Sequence, residues 1–238
     1  SFLQNRNQTF AHAICGRKHL PEAGRFVVDV DFDYMFGAMG LYDRARYLAT
    51  LYLEDLADFI SETIDSDFGF SRYAERIGRA ATTFDKLHAQ LQTKDTLITQ
   101  LIEELLVQQL TAIQPNVVCL TAPFPGNIFS AFKCGQIVKQ HFPQTKVILG
   151  GGFANTELRK LTDSRVFEYV DYVTLDDGEA PLQQLVGLLE AKHGTDMLLR
   201  SYTLVDGKVM YFNNNDILDV AHANVGTPDY SDLKLDKY

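Results

Sequence analysis

Between residues 115 and 191 the chain repeats one rhythm three times: a short apolar run, a loop of Gly, Pro or acidic residues, then a helical pattern. The apolar runs cover 116–121, 146–149 and 170–174, and the helical patterns cover 128–141, 156–161 and 179–191. Runs this short and this rich in Val, Ile and Leu are strands. Helices inserted between consecutive strands connect them as parallel neighbours through right-handed crossovers. Beyond residue 197 the rhythm changes. Residues 199–204 and 208–212 flank Val205-Asp206-Gly207, and an Asp-Gly pair between two strand patterns predicts a β-hairpin.

The chain before residue 115 is mostly helical in pattern. Residues 2–15 predict a helix with Phe2, Leu3, Phe10 and Ile14 available for one face. Pro21-Glu22-Ala23-Gly24 breaks it, and Arg25-Phe26-Val27-Val28-Asp29-Val30 predicts a buried strand. Leu48, Leu51, Leu56, Phe59, Ile60 and Ile64 follow one helical face. Leu97, Ile98, Leu101, Ile102, Leu105, Leu106 and Leu110 follow another, and faces this regular require burial. A turn over 65–70 and a third helix over 71–91 lie between them. The expected fold is therefore α/β, a Rossmann-like (flavodoxin-like) mostly parallel sheet with flanking helices, a large helical insertion and a C-terminal β-hairpin. Residues 1–34 open the α/β domain, 35–112 form the insertion, 113–196 carry the core α/β domain, 197–225 the hairpin extension, and 226–238 a linker.

Composition narrows the function. The 238 residues are 46% apolar, enough for a full core. The net charge of −9, with no block of Lys or Arg, excludes the basic stripe of a nucleic-acid partner. No apolar stretch reaches the roughly 18 residues of a membrane helix, and the start at Ser1 lacks the charged and apolar regions of a signal peptide. A cytoplasmic protein without a membrane partner is expected. Cys15, Cys119 and Cys134 fit no zinc or iron–sulfur spacing and read as buried free thiols. The six histidines are scattered, and there is no P-loop, no Gly-x-Gly-x-x-Gly after residues 25–30 and no nucleophile elbow. Neither a catalytic residue nor a metal ligand is named.

Ligands of open parallel sheets bind beyond the carboxyl ends of the strands, and three such ends stand out. In Thr121-Ala122-Pro123-Phe124-Pro125-Gly126-Asn127 the prolines stiffen the loop, and Asn127 reads either as the helix N-cap or as a ligand contact. In Leu149-Gly150-Gly151-Gly152-Phe153-Ala154-Asn155 three glycines admit either a close ligand or a tight turn. Asn155 or Thr156 can cap the helix that follows. In Leu175-Asp176-Asp177-Gly178-Glu179 the acids suit a helix start, or else they accept hydrogen bonds from ligand hydroxyls.

In order and spacing these segments resemble the cobalamin-binding domain that precedes the catalytic core in many radical S-adenosylmethionine (SAM) proteins. That group includes iron–sulfur oxidoreductases and anaerobic magnesium-protoporphyrin ester cyclases. The likeness rests on Pro115-Asn116-Val117-Val118-Cys119-Leu120-Thr121, on Val147-Ile148-Leu149-Gly150-Gly151-Gly152 and on Phe167-Glu168-Tyr169-Val170-Asp171-Tyr172-Val173. It extends loosely to Ala180-Pro181-Leu182 and to Pro228-Asp229-Tyr230-Ser231.

The resemblance implies that Thr121 lies near the nucleotide loop of cobalamin, that Gly150 and Gly151 lie against its nucleotide tail, and that Asp177-Gly178-Glu179 forms the family's Gly-Glu turn, with Asp176-Asp177 replacing the more usual Gly-Glu. The cofactor-binding residues implied are Thr121, Pro123, Gly126, Asn127, Gly150, Gly151, Gly152, Asn155, Asp177, Gly178 and Glu179. Asp-x-His-x-x-Gly is absent, so the cobalamin is expected base-off without a protein imidazole. Cys-x-x-x-Cys-x-x-Cys is absent too, which assigns SAM and the four-iron four-sulfur cluster to a radical SAM domain missing from this chain. That domain and a small-molecule substrate are the expected partners, and the chain is not expected to be catalytic by itself. Two other functions stand beside this one: a degenerate, cofactor-free domain for substrate docking or assembly, and a flavodoxin-like binder of a phosphate-bearing ligand such as a flavin.

Overall fold

A computed structural model describes residues 2–3, 6–18, 20–27, 32–37, 40–70, 83–93, 95–231 and 233. The chain divides into two compact units, Ser1–Ser66 with Thr227–Tyr238, and Asp67–Gly226. The division falls within the segment read as the helical insertion, at the 65–70 turn.

The first unit is helical, with α1 (Phe10–Cys15), α2 (Phe32–Phe36) and α3 (Leu41–Thr63). Ala11 and Ile14 on α1 meet Ala45, Leu48 and Leu51 on α3, a three-residue spacing that puts each set on one helical stripe. Phe2 and Phe26 complete this core. The helix expected over 2–15 forms only at its C-terminal end. Arg25 and Phe26, expected in a strand, lie in a 3-10 turn over Gly24–Phe26, and Val28–Val30 lie outside the described residues. The turn is held from α3. The Arg25 guanidinium reaches Glu54 and Asp55 at 2.5 Å each and also pairs with Asp58, while the Phe26 ring packs 4.5 Å from that of Tyr52.

The second unit is the α/β part. It contains α4 (Phe84–Leu91), α5 (Leu97–Ile113), β1 (Val117–Thr121), α6 (Pro125–His141), β2 (Lys146–Gly150), α7 (Gly152–Glu157), β3 (Tyr172–Thr174), α8 (Glu179–Leu189), β4 (Ser201–Val205) and β5 (Lys208–Phe212). The strands form one sheet in the order β1-β2-β3-β4-β5. β1, β2 and β3 are parallel, and the hairpin β4-β5 continues the sheet antiparallel to β3. The expected Rossmann-like α/β class is what is found. The Asp-Gly hairpin forms as its sequence requires: Val205 pairs with Lys208, and Asp206 and Gly207 both take positive φ, at 51° and 75°.

Alternation along the strands sorts their side chains onto two faces. Val118, Leu120, Val147, Leu149 and Val173 face α6, where Ile128, Phe129 and Phe132 pack on them. Val117, Ile148 and Tyr172 face the other way, toward Leu185 and Leu188 of α8. β3 begins at Tyr172 rather than at 170, because Asp171 acts as a clamp. Its carboxylate accepts from Val147 N at 2.8 Å and from Lys139 Nζ at 3.0 Å, and its own N donates to Val147 O at 2.8 Å.

α4 and α5 join the α/β core through Leu87, Leu91, Leu106 and Leu110. The apolar pattern of α5 splits into two stripes. Leu106 and Leu110 turn inward, whereas Leu97, Leu101 and Leu105 are 52%, 45% and 61% exposed. A stripe of leucines at i, i+4, i+8 meets the periodicity rule for burial, but the core needs only its neighbour on the same helix. Leu56 and Phe59 on α3 and Ile64 just beyond it, all of the expected apolar face, are likewise exposed. Among the described residues, no helix is long and apolar enough to cross a membrane.

Candidate functional site

The helices that follow the parallel strands leave the sheet on opposite faces, α6 after β1 on one side and α8 after β3 on the other. Their connecting loops therefore diverge at the carboxyl ends of the strands. A hollow of about 340 Å³ opens there, at the small end of the ~300–1,000 Å³ range of small-molecule sites. Thr121, Gly150, Gly151, Gly178 and Glu179 line it, with Cys119, Leu120, Ile148, Thr174, Asp176 and Leu182.

Five of the eleven residues expected at a cofactor site thus converge on one hollow. Pro123, Gly126, Asn127, Gly152, Asn155 and Asp177 do not line it. Asn127 does not cap α6, since that helix starts at Pro125, whose fixed φ suits the first helical position, and Phe124 occupies the cap. Asn127 lies in the first turn, with a buried Oδ1 that accepts no hydrogen bond among the described residues. Asn155 and Thr156 sit inside α7, which begins at Gly152 within the glycine run, so neither is its cap. Asn155 Oδ1 instead accepts from Asp176 N at 2.6 Å and ties α7 to the loop after β3. Asp177 is exposed and makes no cap bond to α8. Its carbonyl accepts from Arg200 Nη2 at 3.3 Å.

The glycine run has a protein neighbour as well as an open side. Gly151 has φ +102°, and a Cβ there would lie 2.9 Å from Ala122 O. At Gly152 a Cβ would meet Pro123 O at 2.5 Å, and at Gly150 it would meet Thr174 Oγ1 at 2.9 Å. Steric room at Gly151 and Gly152 is used first by the β1–α6 loop, whose Ala122 N donates to Gly150 O and whose Ala122 O accepts from Phe153 N, both at 2.9 Å.

Comparison with known protein families, with curated proteins and with solved structures returns no match.

Cys119, Leu120, Ile148, Thr174, Asp176 and Leu182 were not among the residues expected at the site. Alternation was the available signal for two of them, because Cys119 shares a face with Thr121, and Ile148 with Gly150. Leu182 lies one helical turn beyond Glu179. The expectation of a buried thiol fails for Cys119, which is exposed on the part of β1 that α8 does not cover, while Cys15 and Cys134 are partly buried. Burial of its surroundings still pushes the Cys119 thiol above the ordinary range. Less of it is thiolate at neutral pH than of a free cysteine, so its reactivity keeps rising as pH passes roughly 8.5, where an unperturbed thiol is half ionised. With iodoacetamide, Cys119 is expected to label before Cys134 and with this delayed pH profile. Earlier labelling of Cys134, read by peptide mass, would contradict the placement of β1.

Proposed function

We propose that this chain is a cofactor-binding α/β module whose hollow takes the nucleotide tail of cobalamin, and that it presents the corrin to a radical SAM catalytic domain. The observation that carries the reading is the convergence of Thr121, Gly150, Gly151, Gly178 and Glu179 on one hollow at the carboxyl ends of parallel strands. Its volume fits a nucleotide tail and not the corrin ring, which would lie outside, above the strand ends. In this arrangement Thr121 hydrogen-bonds the tail, Ile148 and Leu182 contact its ring, and Gly150 and Gly151 let it approach the backbone of β2. Bound cobalamin would supply a cobalt centre able to carry a methyl group or an electron, and this chain's residues would orient it at the strand ends.

The test is an absorbance titration with hydroxocobalamin. One equivalent is expected to bind, with the spectrum of a cobalamin whose benzimidazole has left the cobalt, and Cys119 is expected to lose its reactivity toward iodoacetamide in the complex. A folded protein that leaves the spectrum unchanged at millimolar cobalamin would overturn the reading. One observation favours a cofactor-free docking or assembly domain instead: Gly151 and Gly152 are required by the contact with residues 122 and 123 whether or not a ligand is present. That reading is supported if the titration shows no binding.

A further inference from the structure

β1 is an edge strand. Among the described residues it pairs with β2 alone, and the hairpin strand β5 forms the opposite edge of the sheet. The bonds at the two ends of the pairing run from Lys146 N to Asn116 O and from Ala122 N to Gly150 O, both at 2.9 Å. Groups on a strand alternate in direction, so residues 116, 118, 120 and 122 turn toward β2. The N–H and C=O groups of Val117, Cys119 and Thr121 turn outward, where no described strand pairs with them. Free edges are commonly guarded by a charge, a proline or a bulge. β5 begins with Lys208, whereas β1 holds no charged residue and no proline and pairs with β2 residue for residue.

The connections of the sheet define the place beside β1. β1 feeds α6, α6 leads to β2, and β1 lies on the side of β2 away from β3. α5 packs on the same face of the sheet as α6, with Glu103 Oε1 2.6 Å from His141 Nε2, and it leads directly into β1. With the same right-handed connection, a strand feeding α5 belongs on the side of β1 away from β2. The element that precedes α5 is the helix α4, which leaves that place open among the described residues.

Both faces of the open place are apolar. On one face Val118 and Leu120 pack against the core. On the other, Cys119 is exposed, and Leu182 and Val186 of α8 are 36% and 40% exposed. Leu182 lines the hollow together with Cys119 and Leu120, which puts this flank of α8 at the β1 edge. Such surroundings suit a strand buried on both faces and therefore rich in Val and Ile throughout. The net charge of −9 favours basic residues at the ends of that strand. A second copy of this chain, pairing β1 to β1, would bring its own α5 and α6 into the layer that α5 already holds, so a lone extended segment is the better fit. We propose that the β1 edge docks an extended, apolar segment of another polypeptide, parallel to β1, as a further strand of the sheet. The proposal does not depend on what occupies the hollow.

The test combines fluorescence anisotropy with amide hydrogen exchange on the full chain. The probe is a capped, fluorescein-labelled peptide of sequence Lys-Lys-Val-Val-Ile-Val-Thr-Lys. In the chain alone, the amides of Val118 and Leu120 are expected to exchange slowly and those of Val117, Cys119 and Thr121 quickly. The peptide is expected to bind with a Kd of about 10–100 μM and to slow the second set at least about tenfold. Cys119→Pro removes one outward donor and leaves the bonds to β2 in place, so it is expected to weaken the peptide at least about fivefold. Should that variant melt early, N-methylation of alternate peptide residues gives the same readout, since one alternation faces β1 and the other does not. No binding at about 1 mM peptide, protection outside β1, or equal losses from both N-methylated sets would overturn the proposal. Protection of Val117, Cys119 and Thr121 that grows with protein concentration in the absence of peptide would overturn it too, and would assign the edge to a second copy.

Discussion

Gly151→Val is expected to destabilise the α/β unit by about 3 kcal/mol or more, combining an unfavourable backbone conformation with overpacking. At φ +102° a β-branched residue is strained whatever surrounds it, and here the surroundings are backbone. The new Cβ would lie 2.9 Å from Ala122 O and 3.0 Å from Ala122 C and N, atoms that cannot swing aside as the end of a side chain can. Ala122 is itself bonded to Gly150 O and Phe153 N, so relieving the clash would break the contact between the β1–α6 and β2–α7 loops. Urea denaturation of the wild type, Gly151→Ala and Gly151→Val is expected to show midpoints falling in that order. A valine variant within about 1 kcal/mol of the wild type would mean that the loop relaxes freely. Because the fold itself needs this glycine, loss of binding in a Gly151 variant carries no information about a ligand.

Gly178→Phe is the informative substitution. Gly178 has φ −78° and ψ −14°, ordinary helical values, and a Cβ there would meet nothing within 4 Å. Replacing glycine at a compatible conformation restricts the unfolded chain and commonly gains about 0.4–1 kcal/mol, so the melting temperature should hold or rise. The residue lines the mouth of the hollow at the start of α8, where a phenyl ring competes for the space assigned to the nucleotide tail. Hydroxocobalamin affinity is expected to fall at least about a hundredfold, roughly 2.7 kcal/mol. A well-folded Gly178→Phe chain that binds cobalamin as the wild type does would place the cofactor elsewhere.

Where the signal was local, the residues were enough. Asp206-Gly207 required a two-residue turn with positive φ at both positions, and the hairpin formed between the expected strands. The short apolar runs at 116–121 and 146–149 became parallel neighbours because helices of sufficient length connect them. A hollow does open at the strand ends, where the connectivity makes the loops diverge. Capping was less legible. Asn127, Asn155 and Asp177 all have side chains that suit a helix start, yet Pro125 moved the start of α6 forward, Gly152 did the same for α7, and Arg200 took the carbonyl of Asp177. Pro125 was a local signal two residues before Asn127, whereas the partners of Asn155 and Asp177 depend on where distant segments lie, which spacing along the chain does not carry.

The sequence by itself determined the class of fold and, from residue 115 onward, the order of strands and helices, because periodicity and turn chemistry act over a few residues. Only the tertiary structure decided which side chains share that space. Leu97, Leu101 and Leu105 match the period of a buried face but remain exposed, because α5 rests on Leu106 and Leu110 instead. Cys119 sits in an apolar run but is exposed, because α8 packs on β1 at Val117 and the hollow opens at Cys119. Asp176 rather than Asp177 reaches the hollow, because Asn155, Arg159 and Arg200, distant along the chain, converge on it. Burial and side-chain direction depend on which surfaces meet, and that is settled only when the whole unit packs.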